Sequence, residues 1–121
     1  MLQTYRLTND KKYLEGALSN MDYLLGRNAT GYSFITGHGD KTPMHPHHRP
    51  SVADGIEEPV PGLLSGGPNP GQQDGCEGYP SNIPDESFVD ADCSYASNEI
   101  AINWNAPLVY LLGAMEVLYN N

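Results

Sequence analysis

The sequence predicts an all-α chain carrying unusually long loops, and three observations predict it. Apolar residues recur at three- and four-residue spacing in two stretches, residues 10–25 and 97–119. Between them, nine of the ten prolines lie from Pro43 to Pro84, and ten of the thirteen glycines lie from Gly31 to Gly78. Alternating strand-like character is confined to Tyr-Ser-Phe-Ile-Thr at 32–36. At 121 residues the chain has about one domain's worth of sequence.

In the first stretch Tyr13, Leu14, Ala17, Leu18, Met21, Leu24 and Leu25 form one apolar face. Asn9 or Asp10 can cap its start, and Gly26 is a suitable stop. Residues 26–95 hold neither helical nor strand periodicity for long. A segment of that length inside a compact domain is usually functional or disordered. All four histidines and several aromatic residues lie in it, which favours function. In the third stretch Ile100, Ala101, Trp104, Leu108, Leu111, Leu112, Met115 and Leu118 keep helical spacing. Pro107 should break or kink this helix, or open its second half as a first-turn residue. From Leu108 to Leu118 the helix is apolar almost all round, so it should be buried on most sides. The chain offers only one other clear helix to cover it, which points to a larger assembly.

Composition narrows the function. Charged residues make up 17% of the chain, against about 25% in an ordinary domain. Six Lys and Arg face fifteen Asp and Glu, for a net charge of −9. Beyond Arg49 there are eleven acids and no Lys or Arg. Binding to phosphate backbones needs cations, so nucleic acid and anionic membrane surfaces are poor partners. Neutral sugars suit the balance better. No apolar run reaches the roughly 18 residues that a membrane-spanning helix needs, and the first residues lack the apolar core of a signal peptide. Cys76 and Cys93 are free to pair or to stay reduced, and neither belongs to a CxxC motif.

Two constellations carry chemistry. His38, His45, His47 and His48 cluster beside Arg49. Zinc is disfavoured, because adjacent His47 and His48 do not readily turn to one ion and no Cys-pair spacing accompanies them. Pro46 and Pro50 stiffen the His47-His48-Arg49 loop, which suits it to holding polar ligand groups. The second constellation is Asp90, Asp92 and Glu99. Glu99 is expected at the mouth of the third stretch, where an acid in a first helical turn is favoured by the macrodipole. The functional alternative is a general acid, since partial desolvation favours the protonated form of a carboxyl.

Longer motifs weigh between these readings. Ser33-Phe-Ile-Thr-Gly-His-Gly-Asp-Lys-Thr-Pro-Met-His-Pro-His47-His-Arg49 and Phe88-Val-Asp90-Ala-Asp-Cys-Ser-Tyr95-Ala-Ser-Asn-Glu99-Ile-Ala101-Ile-Asn-Trp-Asn105-Ala106 occur in that order. The second fits aromatic-x-Asp-x4-aromatic-x3-Glu-x-Ala-x3-Asn-Ala. Gly62-Leu-Leu-Ser-Gly-Gly-Pro-Asn69 lies between them, and Leu24-Leu25-Gly26-Arg27-Asn28 closes the first helix. In these motifs residues 1–121 resemble the C-terminal part of a glycoside hydrolase family 9 catalytic domain, the family of cellulases that act as endo-β-1,4-glucanases.

The resemblance implies a fragment of an (α/α)6 toroid with long active-site loops. It implies that Glu99 is the general acid, with His47 and Asp90 beside it in the catalytic machinery. His47, Arg49 and Tyr95 are implied to contact the β-1,4-glucan. A neutral sugar needs such hydrogen-bonding groups, and its hydrolysis needs a protonated carboxylic acid near the leaving oxygen. The implied mechanism is inverting and requires a second carboxylate to activate water. That base belongs to an Asp-Ala-Gly-Asp motif which this sequence does not contain; Asp54-Gly and Asp74-Gly are poor stand-ins. Many family members also carry Asp where Ser94 stands. The missing N-terminal part of the catalytic domain is therefore the expected partner, and the isolated chain is expected to be inactive. No cofactor is required for the chemistry. Asp54-Gly-Ile-Glu57-Glu58 could bind a structural calcium through Asp54 and Glu57, or be a solvated acidic turn. The resemblance implies an extracellular enzyme. Rival readings are an exo-acting glucosaminidase or cellobiohydrolase of the same family, and a non-catalytic carbohydrate-binding module.

Overall fold

The structure, a computed structural model, describes residues 1–120. Its helices are α1 (Leu2–Thr8), α2 (Lys11–Leu24), α3 (Arg49–Ala53) and α4 (Ile102–Tyr119). Strand pairing among the described residues is limited to isolated bridges, Leu25 with Ser33, Ile35 with Leu64, His47 with Glu99 and Ser65 with Ile100. The all-helical expectation holds, and the segment at 32–36 is extended without forming a sheet. No helix of the described residues is long and apolar enough to cross a membrane.

Asp10 is the cap of α2, its carboxylate accepting the Lys12 N–H at 3.1 Å. Asn9 instead closes α1 in the left-handed region, at φ 54°. That short helix was not expected, because seven residues with only Leu2 buried leave no readable periodicity. Gly26 follows the end of α2 at φ 114°, a conformation that L side chains rarely adopt, so the glycine turns the chain out of the helix.

The third stretch differs from its expectation at its start. Residues 97–101 are not helical, and α4 begins at Ile102. The carbonyls of Ser97, Asn98 and Glu99 accept N–H groups of Gly67, His47 and Gly66. Oxygens committed across the chain do not form an i to i+4 ladder, so the helix waits until Ala101, whose carbonyl accepts from Trp104 and Asn105. Glu99 is consequently not a first-turn acid, and no acid occupies the first turn of α4. Pro107 neither breaks the helix nor opens it; it lies inside a continuous α4.

Two apolar clusters organise the molecule. Leu2, Ala17 and Met115 join α1, α2 and α4, with Leu14, Leu18 and Leu111 packed around them. Phe34, Ile35, Leu64, Phe88 and Leu108 form a second cluster, in which the loops pack on the N-terminal half of α4 and the end of α2. Phe34 and Phe88 meet edge to face with centroids 5.2 Å apart. Asn105 ties the loops to α4 by accepting the Leu64 N–H at 2.9 Å.

Much of α4 has no cover. Ile102 is 89% exposed, Val109 70% and Val117 61%. An open groove between α1 and α4 is lined by Leu2, Val109, Tyr110, Gly113 and Val117. The expected burial of this helix on most sides is thus not met within residues 1–120. Apolar surface of this kind marks an interface or an aggregation liability. The isolated chain should therefore self-associate, and sedimentation velocity at rising concentration should show it. A concentration-independent monomer with a cooperative melt would contradict this.

Candidate active site

Glu99 lies in the non-helical segment 97–101, with a loop on each side. On one side His47 pairs with Glu99 in a parallel bridge, and the His47 N–H donates to the Asn98 carbonyl at 2.8 Å. On the other side the Gly66 N–H donates to the Glu99 carbonyl at 3.1 Å, and the Gly67 N–H to the Ser97 carbonyl at 2.8 Å. Glycine is required in this second loop. A Cβ on Gly66 would come within 3.1 Å of the Trp104 ring, and Gly67 has φ 87°.

Asp90 sets the first loop. Its Oδ2 accepts the Met44 N–H at 2.8 Å, and its Oδ1 accepts the His45 N–H at 2.9 Å. The same Oδ1 accepts from the Asn98 amide at 3.1 Å, and that amide also donates to the His45 carbonyl at 2.8 Å. Asn98 is fully buried, and its Oδ1 has no partner among the described residues. Asp90 therefore works through the backbone. It holds residues 44–47 against 98–99.

The predicted sugar-facing residues gather around this junction. The His47 Nδ1 makes a short hydrogen bond to the Asp92 carbonyl. A carbonyl only accepts, so Nδ1 carries the proton, and in the neutral ring Nε2 is the acceptor. The Tyr95 ring meets the His47 ring edge-on, with centroids 6.2 Å apart, and its hydroxyl donates to the Gln73 carbonyl at 2.8 Å. Glu99 is half-buried, and its carboxylate has no hydrogen bond or ion pair among the described residues. Arg49 is the first residue of α3, is exposed, and is likewise without an ion pair among them. Polar groups left without protein partners are available to a ligand.

The other candidates lie outside this junction. The His48 Nδ1 lies 2.9 Å from the Ser51 hydroxyl, whose oxygen accepts the Val60 N–H, so His48 braces its own loop. Asp54 ends α3 and accepts the Ile56 N–H at 2.9 Å, while Glu57 and Glu58 are exposed. Among the described residues no three His, Cys, Asp or Glu side chains gather as a metal group. Asp54 and Glu57 are hard oxygen donors of the right kind, but two carboxylates are few for the roughly six to eight oxygens that calcium takes.

One polar centre was missed in the sequence. Asp74 Oδ2 accepts from the Tyr79 hydroxyl at 2.7 Å, the Ser94 hydroxyl at 2.8 Å and the Ala96 N–H at 3.1 Å. Its Oδ1 accepts the Cys76 N–H at 3.0 Å. Burial alone would raise its pKa. The bonds from Tyr79, the Cys76 N–H, Ser94 and the Ala96 N–H outweigh that and hold it below the usual carboxylate value. Cys76 and Cys93, left open by the sequence, form a disulfide between the same two segments, with Cα atoms 5.6 Å apart. Only the Asp74-Gly75 dipeptide could have drawn attention to Asp74, and it signals a turn.

Residues 1–112 match the model of glycosyl hydrolase family 9. The chain belongs to that family. It is 58% identical over 118 residues to the xyloglucan-specific endo-beta-1,4-glucanase BoGH9A of Bacteroides ovatus, covering 98% of this chain and 20% of that protein. Endoglucanase D of Acetivibrio thermocellus is 42% identical over 116 residues, covering 96% of this chain and 16% of its own length. The solved Bacteroides ovatus GH9 structure superposes with a TM-score of 0.85 at 51% identity, over 97% of this chain and 19% of that one. The chain thus spans about a fifth of the length of these relatives. Its helices and loops form part of the (α/α)6 toroid of family 9 enzymes, as the motifs predicted.

If Asp90 is the tie between the two halves of the junction, Asp90→Ala in a complete catalytic domain leaves the Met44 and His45 N–H groups unpaired. A hydrogen bond to a charged group contributes about 1.5–3 kcal/mol, so a lowered unfolding midpoint and a reduced kcat are expected together. Wild-type melting and turnover would show that the carboxylate does not set the loop.

Proposed function

We propose that the complete protein containing this chain hydrolyses β-1,4-glucosidic bonds of cellulose or a related β-glucan with inversion, using Glu99 as its general acid. The observation that carries this reading is the unpartnered Glu99 carboxylate, held in register with His47 by a backbone bridge on a family 9 chain. The endoglucanase names of the relatives support endo action, and BoGH9A's xyloglucan specificity makes a decorated β-glucan the first substrate to try.

In this mechanism the Glu99 proton passes to the glycosidic oxygen as the bond from the anomeric carbon to that oxygen breaks. A base on another part of the protein takes a proton from the water that attacks the opposite face. His47, through Nε2, and Arg49 hold sugar hydroxyls, and the Tyr95 ring offers a stacking face. Asp90 keeps His47 and Glu99 in register. The 121 residues contain no Asp-Ala-Gly-Asp motif, so the remaining part of the catalytic domain supplies the base and covers the apolar face of α4. The Cys76–Cys93 disulfide supports an oxidising, extracellular setting. Asp54 and Glu57 would be the residues to hold a structural calcium, which would stabilise the turn and take no part in the chemistry.

Glu99→Gln should reduce turnover of unactivated glucan by about 10²–10⁴-fold, the usual range for general acid–base catalysis. An aryl glycoside with a good leaving group needs less protonation and should lose far less. Equal losses on both substrates would remove the general-acid role. Removal of calcium with EDTA should lower the melting temperature of the complete protein, and added Ca²⁺ should restore it. An unchanged melt would leave the 54–58 turn a solvated one.

A further inference from the structure

We infer that Asp74 is a positioning residue for the general acid, a brace that fixes the segment carrying Tyr95 and Glu99. The inference rests on the reading of Glu99 given above and adds a residue that neither the motifs nor the relatives' names assign.

The geometry supports this in three ways. First, Asp74 grips the segment directly, through the Ser94 hydroxyl and the Ala96 N–H. Ser94 is fully buried, and its hydroxyl also lies 2.8 Å from that of the fully buried Ser97. The Ser94 carbonyl accepts the Asn98 N–H at 3.0 Å. Asp74 thus fixes a turn whose far end is the residue before Glu99. Second, the neighbouring Gln73 carbonyl holds the Tyr95 hydroxyl at 2.8 Å, so one turn sets both an aromatic wall and the acid's segment. Third, the Cys76–Cys93 disulfide joins the two segments beside the polar contact. A disulfide alone limits separation but not register; the carboxylate, with its donors from Tyr79, Ser94 and Ala96, fixes the register.

The same donors exclude Asp74 as the missing base. Four hydrogen bonds stabilise its ionised form, and a carboxylate so satisfied is a weak proton acceptor. Its contribution is therefore geometric. Misplacing a reacting group by about 1 Å can cost up to ~10²-fold in rate.

The test uses the complete enzyme with a soluble β-glucan and an aryl β-glycoside bearing a good leaving group. Asp74→Asn keeps the volume but replaces one oxygen by an NH2, so either the Cys76 N–H or the group of donors from Tyr79, Ser94 and Ala96 loses its acceptor. Its kcat on glucan should fall about tenfold or more, while kcat on the aryl glycoside should stay within about twofold of wild type. A merely structural role would reduce both alike, and that result, or no loss on glucan, overturns the inference. Should Asp74→Asn fail to assemble, Tyr79→Phe removes one donor and keeps the carboxylate. The same leaving-group dependence is then expected at smaller size, and an equal loss or none overturns the inference again. Glu99→Gln is measured alongside. If it shows the dependence and the Asp74 variant does not, the brace alone is wrong; if Glu99→Gln lacks it, both readings fall.

Discussion

The candidate site depends on one carboxylate and the N–H groups it gathers. Asp90 collects two successive backbone N–H groups, of Met44 and His45, together with the buried amide of Asn98. Two loops separated by almost half the chain are thereby brought into register, and the parallel bridge between His47 and Glu99 follows. A bridge of one residue pair has no cooperative ladder behind it. Its persistence comes from the side chains around it, each of which satisfies a backbone group that would be costly to bury unpaired.

This explains how a long stretch without regular structure keeps a definite shape. Several of its most buried positions are polar: Ser87, Ser94, Ser97 and Asn98 are all fully covered. Their partners are named bonds, such as the Ser87 hydroxyl to the Asn69 carbonyl at 2.9 Å and the Asn69 amide to the Ala96 carbonyl at 3.0 Å. The small apolar cluster of Phe34, Phe88 and Leu108 supplies the driving force, and the hydrogen bonds supply the uniqueness.

Legibility in the sequence followed the range of each interaction. The body of α2 was readable because its cap, its apolar stripe and its terminal glycine are local. Pro107 was misleading, since local chemistry argues for a break while packing of Trp104 before it and of Leu108 and Met115 after it keeps the helix continuous. The start of α4 was misplaced because Ser97, Asn98 and Glu99 have helical neighbours in sequence but non-helical partners in space. Asp90, His47, Tyr95 and Glu99 were found through the motifs, and the structure brings His47 into contact with both Tyr95 and Glu99. Asp74 was passed over because its partner Ser94 is twenty positions away, and no local pattern reports such a contact.

The two apolar clusters divide the labour of the chain. The cluster containing Leu108 anchors the loops and the acid segment. The cluster containing Met115 belongs to the helices, and beyond it lies the exposed face bearing Val109, Tyr110 and Val117. Among the described residues, Asp74, Asp90, Gly66 and Asn98 hold the segment around Glu99 from the loop side. None of those contacts involves the exposed helical face. The register of Glu99 with His47 is therefore set by the loops, independently of the apolar face that α4 leaves exposed. The chain thus separates two structural tasks: polar contacts among the loops fix the segment around Glu99, and the helices carry the apolar packing around Met115.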